Sequence, residues 1–365
     1  MERCAVKGSL SRPLLGLVLV LLAATSGRGA PLQPDDTKYF LEWYARLPES
    51  PSALGVLNLP EAWGISQGSP SVTIAILDTG VISTAPDLTG RVLPPLSANP
   101  SYPSGFGDVT LAGTTVLRHG TWVASVAAME VDNGMGGAGI GDFSVLPITV
   151  TGPTGANSGL WIADAIYMAA DAGARVISIS QGTSLYSELD TAAAYARTKG
   201  ALTIVAAGND NARKDMPAYA NLIFVSGTRE DDTRWGTVAG EDGGSTWGPF
   251  VDISAPAHNI LAEDPTLSTG YGVGSGTSFA APMVAGAAAL AWSINPDLTP
   301  QEVEQMLYST AKDLGTPRWD EVYGWGRLDV GALAAAAYAS ITPEPATLGL
   351  LGLGLAGLLA RRRAG

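Results

Sequence analysis

Five short runs of β-branched and aliphatic residues, separated by helical patterns, constrain this chain more than any other feature. The runs cover residues 72–77, 144–150, 175–180, 202–206 and 222–225. Continuous apolar runs of this kind read as buried parallel strands. Helical patterns lie over 121–130, 160–171 and 187–198. Strand–helix alternation predicts an α/β fold, a parallel sheet covered by helices on both faces. In such sheets functional sites gather at the carboxyl ends of the strands.

The flanks divide differently. Residues 1–30 open with basic Arg3, Lys7 and Arg12, continue with an apolar run over 14–24 and end in small residues. That is the layout of a signal peptide, cut by a signal peptidase near Ser26. Residues 31–53 are polar and proline-rich around an aromatic patch at 39–44, and read as a short propeptide or an N-terminal arm. The globular domain runs from 54 to about 340. Within it a helix follows Ser278 toward Ser293, and Thr299, Pro300 and Glu302 form a capping box that opens the next one. The tail, 343–365, joins Pro343-Glu344-Pro345 to an apolar stretch over 347–360 and to Arg361, Arg362 and Arg363. The stretch is shorter than the roughly 20 residues a bilayer span needs, yet its basic end is that of a membrane anchor.

Charge narrows the partners. The formal net charge is −13. The leader and the tail are basic; without them 14 basic and 32 acidic side chains leave −18 over residues 31–343. Such a surface repels nucleic acid and anionic lipid. The single cysteine, Cys4, lies in the leader, so a disulfide, a cysteine zinc site and a cysteine nucleophile are excluded from the processed chain. A nucleophile must come from the hydroxyls.

The best-placed hydroxyl is Ser278, where Gly274-Ser275-Gly276-Thr277 runs into the small-residue helix Phe279-Ala280-Ala281-Pro282-Met283. The unpaired N–H groups and dipole at a helix start would stabilise negative charge beside it. A base is needed, and the chain has two histidines. His258 sits in a polar loop without local support and reads as structural or solvated. His119 sits in Arg118-His119-Gly120-Thr121, where a loop becomes a helix. Asp78 follows the first apolar run, where a carboxylate is costly unless an imidazole or other donor meets it. Asn209, in Ala206-Ala207-Gly208-Asn209, offers a neutral amide donor for an oxyanion.

Asp78, His119, Asn209 and Ser278, in that order and in those blocks, resemble the subtilisin-like serine proteases. The resemblance covers about residues 54–340. It implies a three-layer α/β sandwich with a mostly parallel seven-stranded sheet, and endopeptidase activity on polypeptides. It makes Ser278 the nucleophile, His119 the general base, Asp78 its orienting acid and Asn209 the oxyanion donor. It assigns Ser180, Gln181 and Gly182 to the strand that pairs with substrate backbone, and Ala207 and Gly208 to the primary specificity pocket. No cofactor is required for the chemistry. Structural calcium is common in the family, and Glu130, Asp132, Asn133 and Asp142 could supply oxygen ligands from one glycine-rich loop, though they show no EF-hand-like spacing and read rather as solvated turn. A monomer is expected. The chain departs from the family at Trp122 and Met283, where many members carry histidines, and in the shortness of the segment before Leu54.

The tail resembles a PEP-CTERM sorting signal. That implies recognition by an exosortase, transient membrane anchoring, and export to the surface or matrix of a Gram-negative-type bacterium. Two other readings are set against the protease. A non-catalytic surface protein on the same scaffold has no reason to keep all four residue types, and the acid-active sedolisin type uses Glu and Asp where this chain has His119 and Asn209.

Overall fold

A computed structural model describes residues 29–46, 56–101, 118–152 and 156–341. The leader to residue 28 and the sorting segment from 342 lie outside the described residues. Contacts group Pro31–Tyr338 into one unit, and residues 1–30 with 339–365 into a second.

The strands are β1 (Thr73–Asp78), β2 (Leu96–Ser97), β3 (Ser144–Thr149), β4 (Val176–Ile179), β5 (Leu202–Ala206), β6 (Leu222–Thr228) and β7 (Ile253–Pro256). Among the described residues these form one seven-stranded sheet, every pair parallel, in the order β2-β3-β1-β4-β5-β6-β7. The expected sandwich is therefore present, and its sheet is parallel throughout. Two further strands, β8 (Ile260–Glu263) and β9 (Tyr271–Gly274), pair antiparallel outside the sheet.

Both faces of the sheet are dry because side chains alternate across each strand. Ile74 and Ile76 of β1 join one apolar cluster, and Ala75 and Leu77 the other. Helices α1 (Leu59–Trp63), α2 (Arg118–Ala128), α5 (Thr277–Ile294) and α7 (Val330–Ile341) cover the first face. Helices α3 (Gly159–Asp171) and α4 (Tyr186–Thr198) cover the second. The remaining helix, α6 (Pro300–Thr310), begins with the capping box anticipated at Thr299 and Glu302.

Helix α5 is long and apolar enough to cross a membrane, but 83% of it is buried inside the body. Its alanines and glycines let it approach closely; a Cβ on Gly286 would lie 2.5 Å from Ile140 Cβ. Met283 is fully buried in the same cluster, so a thioether fills core space behind Ser278.

The N-terminal arm is integral to this body. Tyr44 and Ala45 are buried, the Tyr39 hydroxyl donates to the Ala45 carbonyl, and Leu57 N–H donates to the Tyr44 carbonyl. Glu42, also buried, accepts the Ala138 N–H on both oxygens.

Candidate active site

The order β3-β1-β4 places a topological switch between β1 and β4, whose connections leave in opposite directions. Crevices form at such points, at the carboxyl ends. Asp78 is the last residue of β1, and Ser180-Gln181-Gly182 follow β4 directly.

Asp78 is fully buried. Its carboxylate accepts the Thr79 N–H at 2.7 Å and faces His119 Nδ1 at 2.9 and 3.0 Å. Gln181 also hydrogen-bonds it. Burial opposes the carboxylate, but the charge and hydrogen bond of His119 outweigh it and hold Asp78 below the usual carboxylate range. Burial likewise opposes the imidazolium, and the charge and hydrogen bond of Asp78 outweigh it, so His119 titrates above an ordinary histidine. A carboxylate on Nδ1 leaves Nε2 as the nitrogen for proton transfer.

His119 is the second residue of α2. Glycine at the next position sets the approach, since a Cβ on Gly120 would stand 2.1 Å from the Gly80 carbonyl oxygen. Two bonds lock the contact: Gly120 N–H donates to Thr79 Oγ1, and Ile82 N–H to Thr121 Oγ1, both at 3.0 Å.

Ser278 is the second residue of α5. Its Oγ makes a long hydrogen bond to the Ser180 carbonyl, 3.5 Å. Its own carbonyl has lost its helical donor, because residue 282, four along, is a proline inside the helix. Ser180 Oγ replaces that donor at 2.9 Å. Asn209 Oδ1 accepts both the N–H and the hydroxyl of Thr277, at 2.9 and 2.8 Å. This fixes the amide flip and turns Nδ2 outward; a Cβ on Gly276 would stand 3.4 Å from it. Among the described residues neither Asn209 Nδ2 nor the Ser278 N–H has an acceptor. Two free donors thus stand beside one hydroxyl.

A cleft of about 300 Å³ opens here, lined by Ser180, Gly182, Ala207, Gly208, Asn209 and Ser278 among others. A Cβ on Gly182 would meet nothing within 4 Å, so the backbone there faces open space. Sequence reasoning missed part of this wall. Tyr186, Met216 and the ion-paired Asp210 and Lys214 also line it. They come from loops and helix ends that carry no motif.

Trp122 stacks against Phe279, ring centroids 5.9 Å apart, and fits over Gly272 and Gly274, where a Cβ would stand 2.9 and 2.7 Å from its ring. The residue one turn after His119 therefore packs on the residue next to Ser278.

The oxygen donors suggested for calcium do not converge. Arg91 bridges Glu130 and Asp142 at 3.1 and 3.2 Å, Asp132 accepts the Asp35 N–H, and Asn133 donates to Asp87. Among the described residues no group of three or more acidic, histidine or cysteine side chains is placed to hold a metal. These four do not fit one shared cation. His258, read as structural or solvated, has an acid partner in Glu230, 3.0 Å away on both oxygens.

The family model described as "Subtilase family" matches residues 69–326, and the PEP-CTERM protein-sorting motif matches 342–363. The chain belongs to the subtilase family and is a serine-type endopeptidase. It is similar to thermitase of Thermoactinomyces vulgaris, 38% identical over 241 residues, 64% of this chain and 79% of that one. It is also similar to a thermophilic serine proteinase of a Bacillus species, 34% identical over 233 residues; the alignment spans 63% of this chain and only 54% of the relative. A solved protease from Pseudoalteromonas arctica superposes with a TM-score of 0.67 at 28% identity, covering 84% of this chain and all of the other.

Proposed function

We propose that this enzyme is exported and cleaves polypeptides through an acyl-enzyme on Ser278. The observation that carries the reading is the meeting of four distant segments. Ser278 and the outward amide of Asn209 line one cleft, and Gln181 of the same wall hydrogen-bonds the buried Asp78, whose carboxylate holds His119.

The extended substrate lies along Ser180–Gly182 and places a side chain between Ala207 and Gly208. Ser278 Oγ attacks the scissile carbonyl while His119 Nε2 takes its proton. Asp78 holds the ring by Nδ1 and stabilises the imidazolium. The carbonyl oxygen becomes an oxyanion, met by Asn209 Nδ2 and the Ser278 N–H. His119 then gives its proton to the departing amine, and water, activated by the same base, releases the acid and restores the hydroxyl.

Two signals address the enzyme: the leader, removed by signal peptidase, and the PEP-CTERM segment, read by an exosortase-type enzyme during transit to the cell surface or matrix of a Gram-negative-type bacterium. The arm stays with the body because its aromatic residues belong to the core.

A fluorophosphonate probe should label Ser278 in the wild type and not in His119→Ala. A folded wild-type protein that never labels between pH 7 and 10 would sink the reading. Mass spectrometry of the secreted form, locating both termini, tests the processing.

A further inference from the structure

His258 plays no part in the chemistry above, yet its turn is bonded directly to the nucleophile loop. The turn joins β7 to β8. Its first residue, Ala257, accepts the Gly276 N–H at 2.7 Å. Its last residue, Asn259, donates its N–H to Ser275 Oγ at 3.0 Å. Gly276 and Ser275 are the second and third residues before Ser278. Gly276 is also the neighbour of Asn209 Nδ2, so this loop sets where both oxyanion donors stand relative to the hydroxyl.

The middle residue anchors the turn from the other side. His258 Nδ1 faces both oxygens of Glu230 at 3.0 Å, and Asn259 Nδ2 donates to Glu230 Oε1 at 3.1 Å. Glu230 lies in the turn two residues past the end of β6. Burial disfavours its charge, but hydrogen bonds, those from His258 and Asn259 included, keep it below the usual carboxylate range. The far ring nitrogen, Nε2, stands 3.5 Å from Glu241, which is itself paired with Arg229. From above, Trp43 Nε1 of the N-terminal arm donates to the His258 carbonyl at 3.1 Å. Because the two ring nitrogens face different carboxylates, the cluster is a strut, not a metal site. Asn259 adopts the left-handed conformation, φ 52°, which asparagine tolerates better than most residues when its side chain is held locally.

We infer that His258 and Glu230 form a positioning pair that fixes the turn 257–259 and, through its two bonds, the Ser275–Gly276 loop carrying the nucleophile. Its effect falls on the transition state. Substrate binds along Ser180–Gly182 and Ala207–Gly208, which the pair does not touch. The oxyanion donors are what move when the loop moves, and a misplacement of about 1 Å at such a site costs on the order of 10²-fold.

The inference rests on Ser278 being the nucleophile, and the test separates the two. The full-length protein and its His258→Ala, Glu230→Ala, His258→Asn and Ser275→Ala variants are assayed on a peptide p-nitroanilide, and the rate of fluorophosphonate labelling at Ser278 is measured. His258→Ala and Glu230→Ala should each lower kcat at least tenfold with KM within twofold, and their double variant should fall no further. Labelling should slow by the same factor as kcat. His258→Asn, whose amide can still donate to Glu230, should recover most of the loss, which a purely structural role would not require. Ser275→Ala removes an exposed hydroxyl, so it tests the link even where His258→Ala fails to fold; it too should lower kcat alone. A kcat within twofold of wild type in Ser275→Ala, or in folded His258→Ala, overturns the inference while wild-type labelling upholds the nucleophile. A wild type that never labels at Ser278 overturns both.

Discussion

At the scale of single residues, the Asp78–His119 pair sets a pH dependence whose sign is fixed. In the role proposed for it, His119 can act as a base only when neutral. Asp78 holds its imidazolium, so its protonation persists above the ordinary histidine value of about 6.5. The acid limb of kcat/KM should therefore have its midpoint above about 6.5. Asp78→Asn removes the charge and presents the wrong hydrogen-bonding partner to Nδ1; kcat should fall about 10⁴-fold, and the limb of the residual activity should move to lower pH. A limb that stays put would mean that another group titrates. Asn209 belongs to the same scale. Its oxygen is spent on Thr277, so its only free function is Nδ2. Asn209→Ala should lower kcat about 10²–10³-fold, with KM little changed; a loss confined to KM would place the residue in substrate binding instead.

At the scale of elements, helix α5 carries an internal defect and a repair. Pro282 leaves the Ser278 carbonyl without its helical donor, and Ser180, at the end of β4, supplies one. A fully buried carbonyl left without a donor costs about 1–3 kcal/mol, and this one, partly buried, costs at most that. Ser180→Ala should lower the melting temperature accordingly. In a Pro282→Ala background the restored N–H can satisfy the carbonyl, so the same serine substitution should cost much less. Equal costs in the two backgrounds, measured as a double-mutant cycle by calorimetry, would show that the Ser180 bond is not the replacement described.

This scale also shows what sequence could reveal. Strands β1 and β3 to β6 were legible because burial on both faces leaves a continuous apolar signature. The strand β7, Ile-Ser-Ala-Pro, has none, β2 is two residues long, and the glycines of β9 hide a strand whose purpose is to admit Trp122. Asp78, His119, Asn209 and Ser278 were legible through their joint pattern: a carboxylate ending a buried strand needs a partner, and a histidine, an amide and a hydroxyl at strand ends and helix starts supplied one constellation. His258 was not legible in this way. Its partner Glu230 lies 28 residues away, in a loop that only the parallel pairing of β6 with β7 brings alongside. The loop donors Glu130 and Asp142, read as solvated turn, have a partner that was hidden for a related reason: Arg91, distant in sequence, bridges them.

For the molecule as a whole, the protonation of buried carboxylates couples stability to pH in the direction opposite to that of Asp78. Asp252 follows Val251 into β7 and accepts the Phe224 N–H at 2.8 Å. Burial, aided by the charge of Glu304, pushes it up to about 7. In the unfolded chain it would titrate near 3.9. Between those values the folded protein binds a proton that the unfolded chain has released. The contribution of Asp252 is therefore fully present below about pH 4 and is lost as the pH rises through about 7. Asp36, pushed to about 6, and Glu263, to about 7, act in the same sense because both are buried. Asp252→Asn keeps an oxygen for the Phe224 N–H and removes the ionisation. In a Ser278→Ala background, which prevents self-digestion, urea unfolding at pH 5 and pH 8 should show a smaller loss of stability across that interval for Asp252→Asn than for its parent. The slope should be reduced and not abolished, since Asp36 and Glu263 remain. Equal losses would mean that Asp252 is ionised in the folded protein and that water or a cation reaches it.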